Sequence, residues 1–307
     1  MTNGRLVDEI ARALLYEGYV LYPYRPSAMK NRQRWMFGTL YPALWTAKQN
    51  GNEACSIQSE CLAEGGGESR VHVTFRFLHW FASGAGGGAR REAIERQGGI
   101  EDIPLTAQPE LHWREDFSFS PSPEGGQEEI HARLEVRAEP VSEGVFKISV
   151  RLTNATPMES GGRDEALLRS MASAHLVFKA RDAQFVSLFD PPPALREAAG
   201  NCRNAGVWPV LAGEPGSRDT MLASPIILYD YPQVAPESPG DLCDSTEIDE
   251  MLSLRILTLA DEEKREVQEG GERCRQILER TELLPPEQLL KLHGVIRSLR
   301  RVSGDQK

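Results

Sequence analysis

Two stretches of strict alternation, joined by a short turn, constrain this chain more than any other feature of its sequence. Residues 130–137 alternate apolar with polar side chains, and residues 146–153 repeat the pattern. Period-two alternation is typical of a strand with one buried and one solvated face. The connecting PVSEG stretch supplies turn-forming residues. The sequence therefore predicts an antiparallel hairpin in a sheet that is covered on one side only.

Other elements follow from the same periodicities. Leu6, Ile10 and Leu14 share one face at helical spacing, which predicts a first helix over residues 5–17. Residues 71–77 alternate as a half-buried strand does. Apolar runs also predict a hairpin over 175–189, a helix over 195–205, and buried strands over 207–211 and 225–231. Residues 164–173 fit a helical turn or a strand, and residues 251–259 fit a helix or a strand.

Composition divides the chain into four parts: 1–83, 84–128, 129–243 and 244–307. Residues 84–128 are rich in Gly, Pro and Ser, which predicts a long surface excursion with a turn or two of helix at RREAIERQ. The last part has a helical pattern ending in an apolar stripe after Pro286, and we expect it to form one unit with 1–83. The predicted fold class is α+β, an antiparallel β-sheet or small sandwich with an N-terminal helix and a helical C-terminal tail.

Charge and cysteine content exclude several classes of protein. The chain has 35 basic and 45 acidic residues and a net charge of −10, which argues against nucleic acid as a partner. No run approaches the ~20 apolar residues that span a bilayer, and the N-terminus does not resemble a secretory signal. Five scattered cysteines without a Cys-x-x-Cys pair predict reduced thiols in a cytoplasmic protein without a metal site. The glycine run after residue 83 lacks nucleotide-loop spacing, so no cofactor is expected.

Two residues are weak candidates for catalysis. His175 would be placed as a general base if it faced Asp190 or Asp230 across a sheet. Cys202 lies in the glycine-bordered GNCRNAG stretch beside Arg203, and a neighbouring cation favours a reactive thiolate. No nucleophile–base motif accompanies either residue, so packed side chains are the simpler interpretation of both.

Charged and aromatic residues are segregated into two segments. Gly18–Asn52 contains no acidic residue and five basic ones, with five of the seven tyrosines in or beside it. Tyr229–Glu250 contains seven acidic residues and no basic one. Arg–Tyr–Trp clusters are typical of interface hot spots. The alternatives are that the two segments fold against each other as a partly buried ion-pair network, or that they hold a small-molecule anion. The predicted binding residues are Tyr22, Tyr24, Arg25, Lys30, Asn31, Arg32, Arg34, Trp35, Asp230, Tyr231, Glu237, Asp241, Asp244 and Glu247.

Four stretches carry a resemblance to a known family: LLYEGYVLYPYRPSAMKNRQRWMFGTLYP (14–42), QSECL (58–62), ASPIILYDYPQVAPESPGDLCDSTEIDEML (223–252) and LTLADEEKRE (257–266). They resemble an uncharacterised protein family associated with gene clusters of actinobacterial-type, oxygen-tolerant nickel–iron hydrogenases. The resemblance implies an accessory role in the assembly, maturation or support of a metalloenzyme. It also implies hydrogenase subunits or maturation factors as protein partners, and it supplies no catalytic residues.

Two functions are compatible with these features. The first is a non-enzymatic accessory protein that presents a Tyr/Arg/Trp-rich interaction surface, which is the function we favour. The second is an enzyme acting on a small anionic or peptide substrate in a cleft between the basic and acidic segments. A convergent pocket around His175 or Cys202 would favour the enzyme, whereas a broad exposed aromatic surface would favour the accessory protein.

Overall fold

The computed structural model describes residues 3–16, 37–49, 53–83, 90–106, 111–121, 128–233, 257, 259–268, 275, 278–279 and 281–283. In chain order its strands are β1 (Ser56–Ser83), β2 (Arg90–Pro104), β3 (Leu111–Phe119), β4 (Ile130–Ser142), β5 (Val145–Asn154), β6 (Met171–Phe185), β7 (Trp208–Leu211) and β8 (Thr220–Ser224). Its helices are α1 (Asn3–Tyr16), α2 (Ala43–Lys48), α3 (Arg163–Leu168), α4 (Arg196–Gly200) and α5 (Asp261–Gln268), and a 3-10 turn spans Pro193–Leu195.

The strands form one antiparallel sheet in the order β3-β4-β5-β1-β6-β8-β7, with β2 also paired to β1. The central strand β1 is 28 residues long. Its residues 56–64 pair with β5 and its residues 70–83 pair with β2, so β5 and β2 follow each other along one edge. β6 pairs with the opposite edge. The predicted β4–β5 hairpin is confirmed, and the predicted strand over 71–77 is part of β1.

The sheet folds over on itself, as the aromatic contacts of Phe75 on β1 show. Its ring centroid lies 5.1 Å from that of Phe117 and 6.1 Å from that of Phe119, both on β3. Since β3 is three strands away from β1 in the sheet order, these contacts require the inner faces of the two halves to meet. The enclosed core takes apolar side chains from β1, β4, β5, β6 and β8, and their alternating positions supply one dry face per strand.

Helices cover two parts of the outer face. The predicted N-terminal helix is confirmed as α1, and its Ile10 packs against Val177 of β6 and Leu222 of β8. The 3-10 turn and α4 cover another part, where Ala199 packs against Leu62 of β1. The outward-facing side chains of β4 and β5 are half-buried or exposed. The prediction of one wet face therefore applies to the β4–β5 hairpin but not to β6 and β8.

The predicted surface excursion over 84–128 is wrong for its described part, because that part contains β2 and β3. The RREAIERQ stretch lies in β2 and is not helical. Hydrogen bonding to β1 decides this, with Phe77 opposite Arg96 and Val73 opposite Ile100. β1 forms hydrogen bonds with the backbone N–H and C=O groups of β2 that face it. These bonds outweigh the weak helical preference of a short charged stretch.

Three further expectations need correction. Residues 175–189 form no hairpin, because β6 continues through Asp182, with a φ of 56°, while β1 pairs alongside it. The strand expected over 225–231 is absent, since β8 ends one residue before it. The helix expected over 195–205 is limited to the last residue of the 3-10 turn and to α4. The ambiguous residues 164–173 divide into most of α3 and the start of β6.

The chain divides into two compact units, one comprising Met1–Tyr19 with Trp35–Gln233 and the other comprising Val20–Arg34 with Val234–Lys307. In the second unit, α5 lies within the predicted helical tail, and Lys264 Nζ pairs with Glu282 Oε1 at 2.7 Å. The final helix expected after Pro286 lies outside the described residues. Among the helices described, none combines the length and the apolar character that a membrane-crossing helix needs.

Gly99 of β2 occupies a position where a side chain does not fit. A Cβ there would lie 2.5 Å from the carbonyl oxygen of Val73 and 3.1 Å from Thr74 Cα. Because backbone atoms of a paired strand cannot move aside freely, we expect Gly99→Ala to lower the free energy of unfolding by about 1–3 kcal/mol, as measured by urea denaturation. Gly66→Ala is the matched control, since nothing lies within 4 Å of its Cβ position. Equal losses in the two variants would contradict the steric explanation.

Candidate functional site

Most of the predicted binding residues lie outside the part of the chain that the structure describes. These residues are Tyr22, Tyr24, Arg25, Lys30, Asn31, Arg32, Arg34, Trp35, Glu237, Asp241, Asp244 and Glu247. Their assignment to an interaction surface stays a prediction. Four other candidates are described: His175, Cys202, Asp230 and Tyr231.

Asp230 and Tyr231 tie a loop to the edge strand β7. One carboxylate oxygen of Asp230 accepts a hydrogen bond from Ser187 Oγ, and the other accepts the N–H of Leu211 at 2.8 Å. The N–H of Tyr231 donates to the carbonyl of Leu211 at 2.7 Å, and its side chain packs against the core. These bonds satisfy backbone groups that the edge strand would otherwise leave open. In this region both residues therefore have a structural role.

An exposed aromatic pair lies on the two loops that Asp230 and Ser187 join. Phe189 is 68% exposed and Tyr229 is 74% exposed. Their ring centroids are 5.3 Å apart with an interplanar angle of 88°, an edge-to-face contact. We call Phe189 and Tyr229 the aromatic patch. The Ser187–Asp230 hydrogen bond joins the two loops, two residues from Phe189 and one residue from Tyr229 along the chain.

His175 is enclosed in the scaffold. Its side chain is fully buried on β6, and its Nδ1–H donates to the carbonyl of Ser173 at 3.0 Å. Its Nε2 has no hydrogen-bond partner among the described residues. Burial, with a smaller contribution from the Arg76 charge, lowers the pKa of His175 to about 4, against the opposing effects of the Ser173 hydrogen bond and the Glu95 charge. A neutral, fully enclosed imidazole that has no hydrogen-bonded carboxylate among the described residues is poorly placed to act as a general base on a substrate.

Cys202 is also poorly placed for catalysis. Burial, together with the charge of Glu60, raises the pKa of its thiol to about 11, against the opposing effect of the Lys147 charge. The thiol therefore stays protonated at neutral pH, which is the opposite of the activation that a neighbouring Arg would give. Its Sγ lies 3.7 Å from the carbonyl of Ala198, to which it donates a weak hydrogen bond. Arg203 offers its backbone N–H to Glu60 Oε2 at 2.7 Å.

The GNCRNAG stretch around Cys202 covers an edge of β1. The side-chain oxygen of Asn204 accepts the N–H of Glu60 at 2.8 Å, and its Nδ2 donates to the carbonyl of Glu60 at 3.3 Å. One residue later, Ala205 forms an antiparallel bridge with Gln58. The Asn204 amide thus forms with Glu60 the hydrogen bonds that a paired backbone would form. The role of this stretch is to cover the edge of β1.

A polar trough of about 370 Å³ opens on the outer face of β1, β5 and β4. Cross-strand pairs of β1 and β5 line the trough, with Glu60 opposite Ser149 and Gln58 opposite Arg151. Glu60 is only 9% exposed, and its Oε1 accepts a hydrogen bond from Ser149 Oγ at 3.2 Å. At one end Lys147 Nζ lies 2.5 Å from Glu139 Oε1. That hydrogen bond raises the pKa of Lys147, with a further contribution from the charges of Glu60 and Glu139.

The sequence pattern did not indicate Phe189 of the aromatic patch or Glu60 of the trough. Phe189 lies at the end of a predicted strand, and Glu60 precedes the alternating residues that predict a strand over 71–77. The wet faces of residues 131–137 and 147–153 did indicate the polar side of the hairpin. The missing signal was the pairing of β5 with β1, which brings Glu60 beside that face.

Neither metal-site geometry nor similarity to known proteins assigns this region a function. Across the described ranges, no three His, Cys, Asp or Glu side chains lie together as a metal site requires. The sequence matches no protein-family model, and no curated protein is significantly similar to it.

Proposed function

We propose that this chain is a non-enzymatic accessory protein that supports the assembly or maturation of a metalloenzyme, a nickel–iron hydrogenase, through an exposed interaction surface. The resemblance of residues 14–42 and 223–252 to a hydrogenase-associated family supports the metalloenzyme context. The observation that carries the proposal is the aromatic patch. One of its two residues, Tyr229, is the first residue of the acidic Tyr229–Glu250 segment.

The aromatic patch has the properties of an interface anchor. Phe and Tyr bury about 150–250 Å² each when covered, and apolar burial contributes about 25 cal/mol per Å². Covering the exposed parts of both rings would therefore contribute several kcal/mol to binding. The Ser187–Asp230 hydrogen bond joins the two loops, which lowers the cost of ordering them when a partner binds. Hot spots combine these two features, large aromatic area and preorganisation.

Removing the aromatic patch should weaken the binding of partners without unfolding the protein. We expect the double variant Phe189→Ala, Tyr229→Ala to recover at least about tenfold less hydrogenase subunit or maturation factor than the wild type, because truncating a hot spot costs more than about 1–2 kcal/mol. The measurement is quantitative mass spectrometry of proteins that co-purify with the tagged chain from its native organism. The melting temperature should change little, since both rings are exposed.

Leu44→Ala is the control variant, because Leu44 is an exposed apolar residue on α2, away from the aromatic patch in sequence. It should retain the wild-type level of co-purified partners. Deletion of the chain should lower hydrogenase activity in the native organism. Normal hydrogenase activity and normal subunit content after deletion would refute the proposal.

A further inference from the structure

The strand β3 lies at one end of the sheet, and among the described strands it pairs with β4 alone, over all 9 of its residues and without a register shift. At the other end of the sheet order, the edge of β7 is occupied, because the N–H and the C=O of Leu211 bond to Asp230 and Tyr231. β2 also has one described partner strand, but its register with β1 shifts between Val71 and Val73. β3 is therefore a regular open edge, to which another strand can add.

The backbone groups of β3 that face this edge belong to its even-numbered residues. On β4, the C=O of His131 accepts the N–H of Ala155 and its N–H donates to Thr156 Oγ1, so His131 faces away from β3. Backbone groups alternate in direction along a strand, so the two residues beside His131 face β3, opposite Phe117 and Phe119. None of the backbone groups on the open edge bonds to another backbone group among the described residues. They belong to His112, Arg114, Asp116 and Ser118.

The side chains of β3 are complementary to a second copy of the strand that runs antiparallel to it. With the two-fold axis at Glu115, Arg114 of each copy lies opposite Asp116 of the other. On the other face, Trp113 of each copy lies opposite Phe117 of the other. Ion pairs and aromatic pairs directly across two strands both stabilise a sheet, and two-fold symmetry makes each pair occur twice. A shift of the axis by one residue would place Arg114 or Asp116 opposite its own copy.

The charged residues of β4 continue this complementarity. Within one chain Asp116 lies opposite Arg133, with Oδ1 2.7 Å from Nε, and Arg114 lies opposite Glu135. Arg114 Nη2 also lies 3.7 Å from Asp116 Oδ2 of its own strand, yet the two side chains remain 49% and 58% exposed and accessible to a further partner. Two copies paired at β3 would carry one row of alternating charge across the outer face. The row is Arg133 and Asp116 of one copy followed by Arg114 and Glu135 of the other.

We propose that β3 pairs with β3 of a second copy of this chain and forms an antiparallel, two-fold symmetric dimer with its axis at Glu115. The four outward-facing residues of each copy pair across the axis, and each pair exchanges two backbone hydrogen bonds. The available edge ends after Phe119, because Arg96 Nη2 donates to the carbonyl of Ser120 at 2.8 Å. The aromatic patch is joined to β7, at the other end of the sheet order, so this proposal does not depend on the proposed function.

Sedimentation velocity of the full chain over about 1–100 µM tests the dimer. We expect the wild type to reach twice the mass of one chain as the concentration rises. Arg114→Glu places acidic residues opposite Asp116 at both symmetric positions and should weaken the dimer by about tenfold or more. Glu115→Gln should instead strengthen it by about two- to fivefold, because it removes the like charges at the axis. Arg181→Glu is the control with the same change of charge, at an exposed side chain of β6, and should dimerise as the wild type does.

Mixing two variants that each fail to dimerise tests the register of the pair. Asp116→Arg opposes two basic residues and Arg114→Glu opposes two acidic ones, so each variant alone should be monomeric. In an equimolar mixture every introduced charge faces its opposite on the other chain, and a heterodimer should form. If Asp116→Arg fails to fold, since Asp116 also binds Arg133, Arg114→Glu and Glu115→Gln still decide. A monomeric wild type over the whole range, a dimer that Arg114→Glu leaves unchanged, or a mixture of the two folded variants that stays monomeric would overturn the proposal.

Discussion

Replacing Asn154 with alanine should lower the free energy of unfolding by about 2–5 kcal/mol. Its fully buried amide donates to the carbonyls of Leu40 and Arg169, each at 2.8 Å, and accepts the N–H of Thr156 at 3.1 Å. Leu40 keeps a second bond, from the N–H of Met171. The Arg169 carbonyl and the Thr156 N–H would lose this partner, and each buried polar group left unpaired costs about 1–3 kcal/mol.

Urea denaturation of the Asn154→Ala variant measures this effect. Thr153→Ala is the control, because Thr153 is the neighbouring residue on β5 and points to the opposite, half-exposed face. It should change stability by less than about 1 kcal/mol. A loss of stability of the same size in both variants would mean that the hydrogen bonds of Asn154 to Leu40, Arg169 and Thr156 do not stabilise the fold.

Acidification from pH 7 to pH 4 should destabilise the protein by about 3 kcal/mol through His175 alone. Burial lowers the pKa of His175 from 6.5 to about 4 in the folded state. The unfolded chain binds the proton near pH 6.5, whereas the folded chain does not until about pH 4. The stability contributed by neutral His175 is therefore complete above pH 6.5 and is lost as the pH falls towards 4. His79 adds an effect of the same sign, because burial also lowers its pKa to about 4.

The pH dependence of His175→Asn tests this assignment, because the Asn amide can replace the Nδ1–H that donates to Ser173. The variant should lose about 3 kcal/mol less stability than the wild type between pH 7 and pH 4, as measured by urea denaturation at each pH. Thr153→Ala, which removes no titratable group from the half-exposed β5 surface, should run parallel to the wild-type curve. A His175→Asn curve parallel to the wild type would contradict the role given to burial.

The candidate site was only partly accessible from sequence. The segregation of charge and aromatic residues predicted an interaction surface that includes the segment starting at Tyr229. Tyr229 does belong to the aromatic patch. Asp230, however, binds Ser187 and the backbone of Leu211 and serves the scaffold. Composition reports which residue types are close in sequence, but it does not report whether a carboxylate is already satisfied by groups that the fold brings to it.

Asn154 is a second residue whose role could not be predicted from local sequence. Asn154-Ala155-Thr156 matches the acceptor pattern for N-glycosylation, which is typical of an exposed loop. In the structure this amide is fully buried and bonds to residues far away along the chain. A three-residue pattern contains no information about burial, so only the tertiary contacts could assign it a structural role.

The sequence by itself determined the β4–β5 hairpin, α1 and the alternating part of β1, because each has a local period that separates a dry face from a wet one. The tertiary structure alone decided that β2 and β3 are strands, that β6 continues through Asp182, and that Glu60 lies opposite Ser149 of β5. Those outcomes depend on strand pairing. β2, β5 and β6 pair with β1, and β3 pairs with β4. Backbone hydrogen bonds to a distant strand leave little trace in local composition, and here they outweighed local preference.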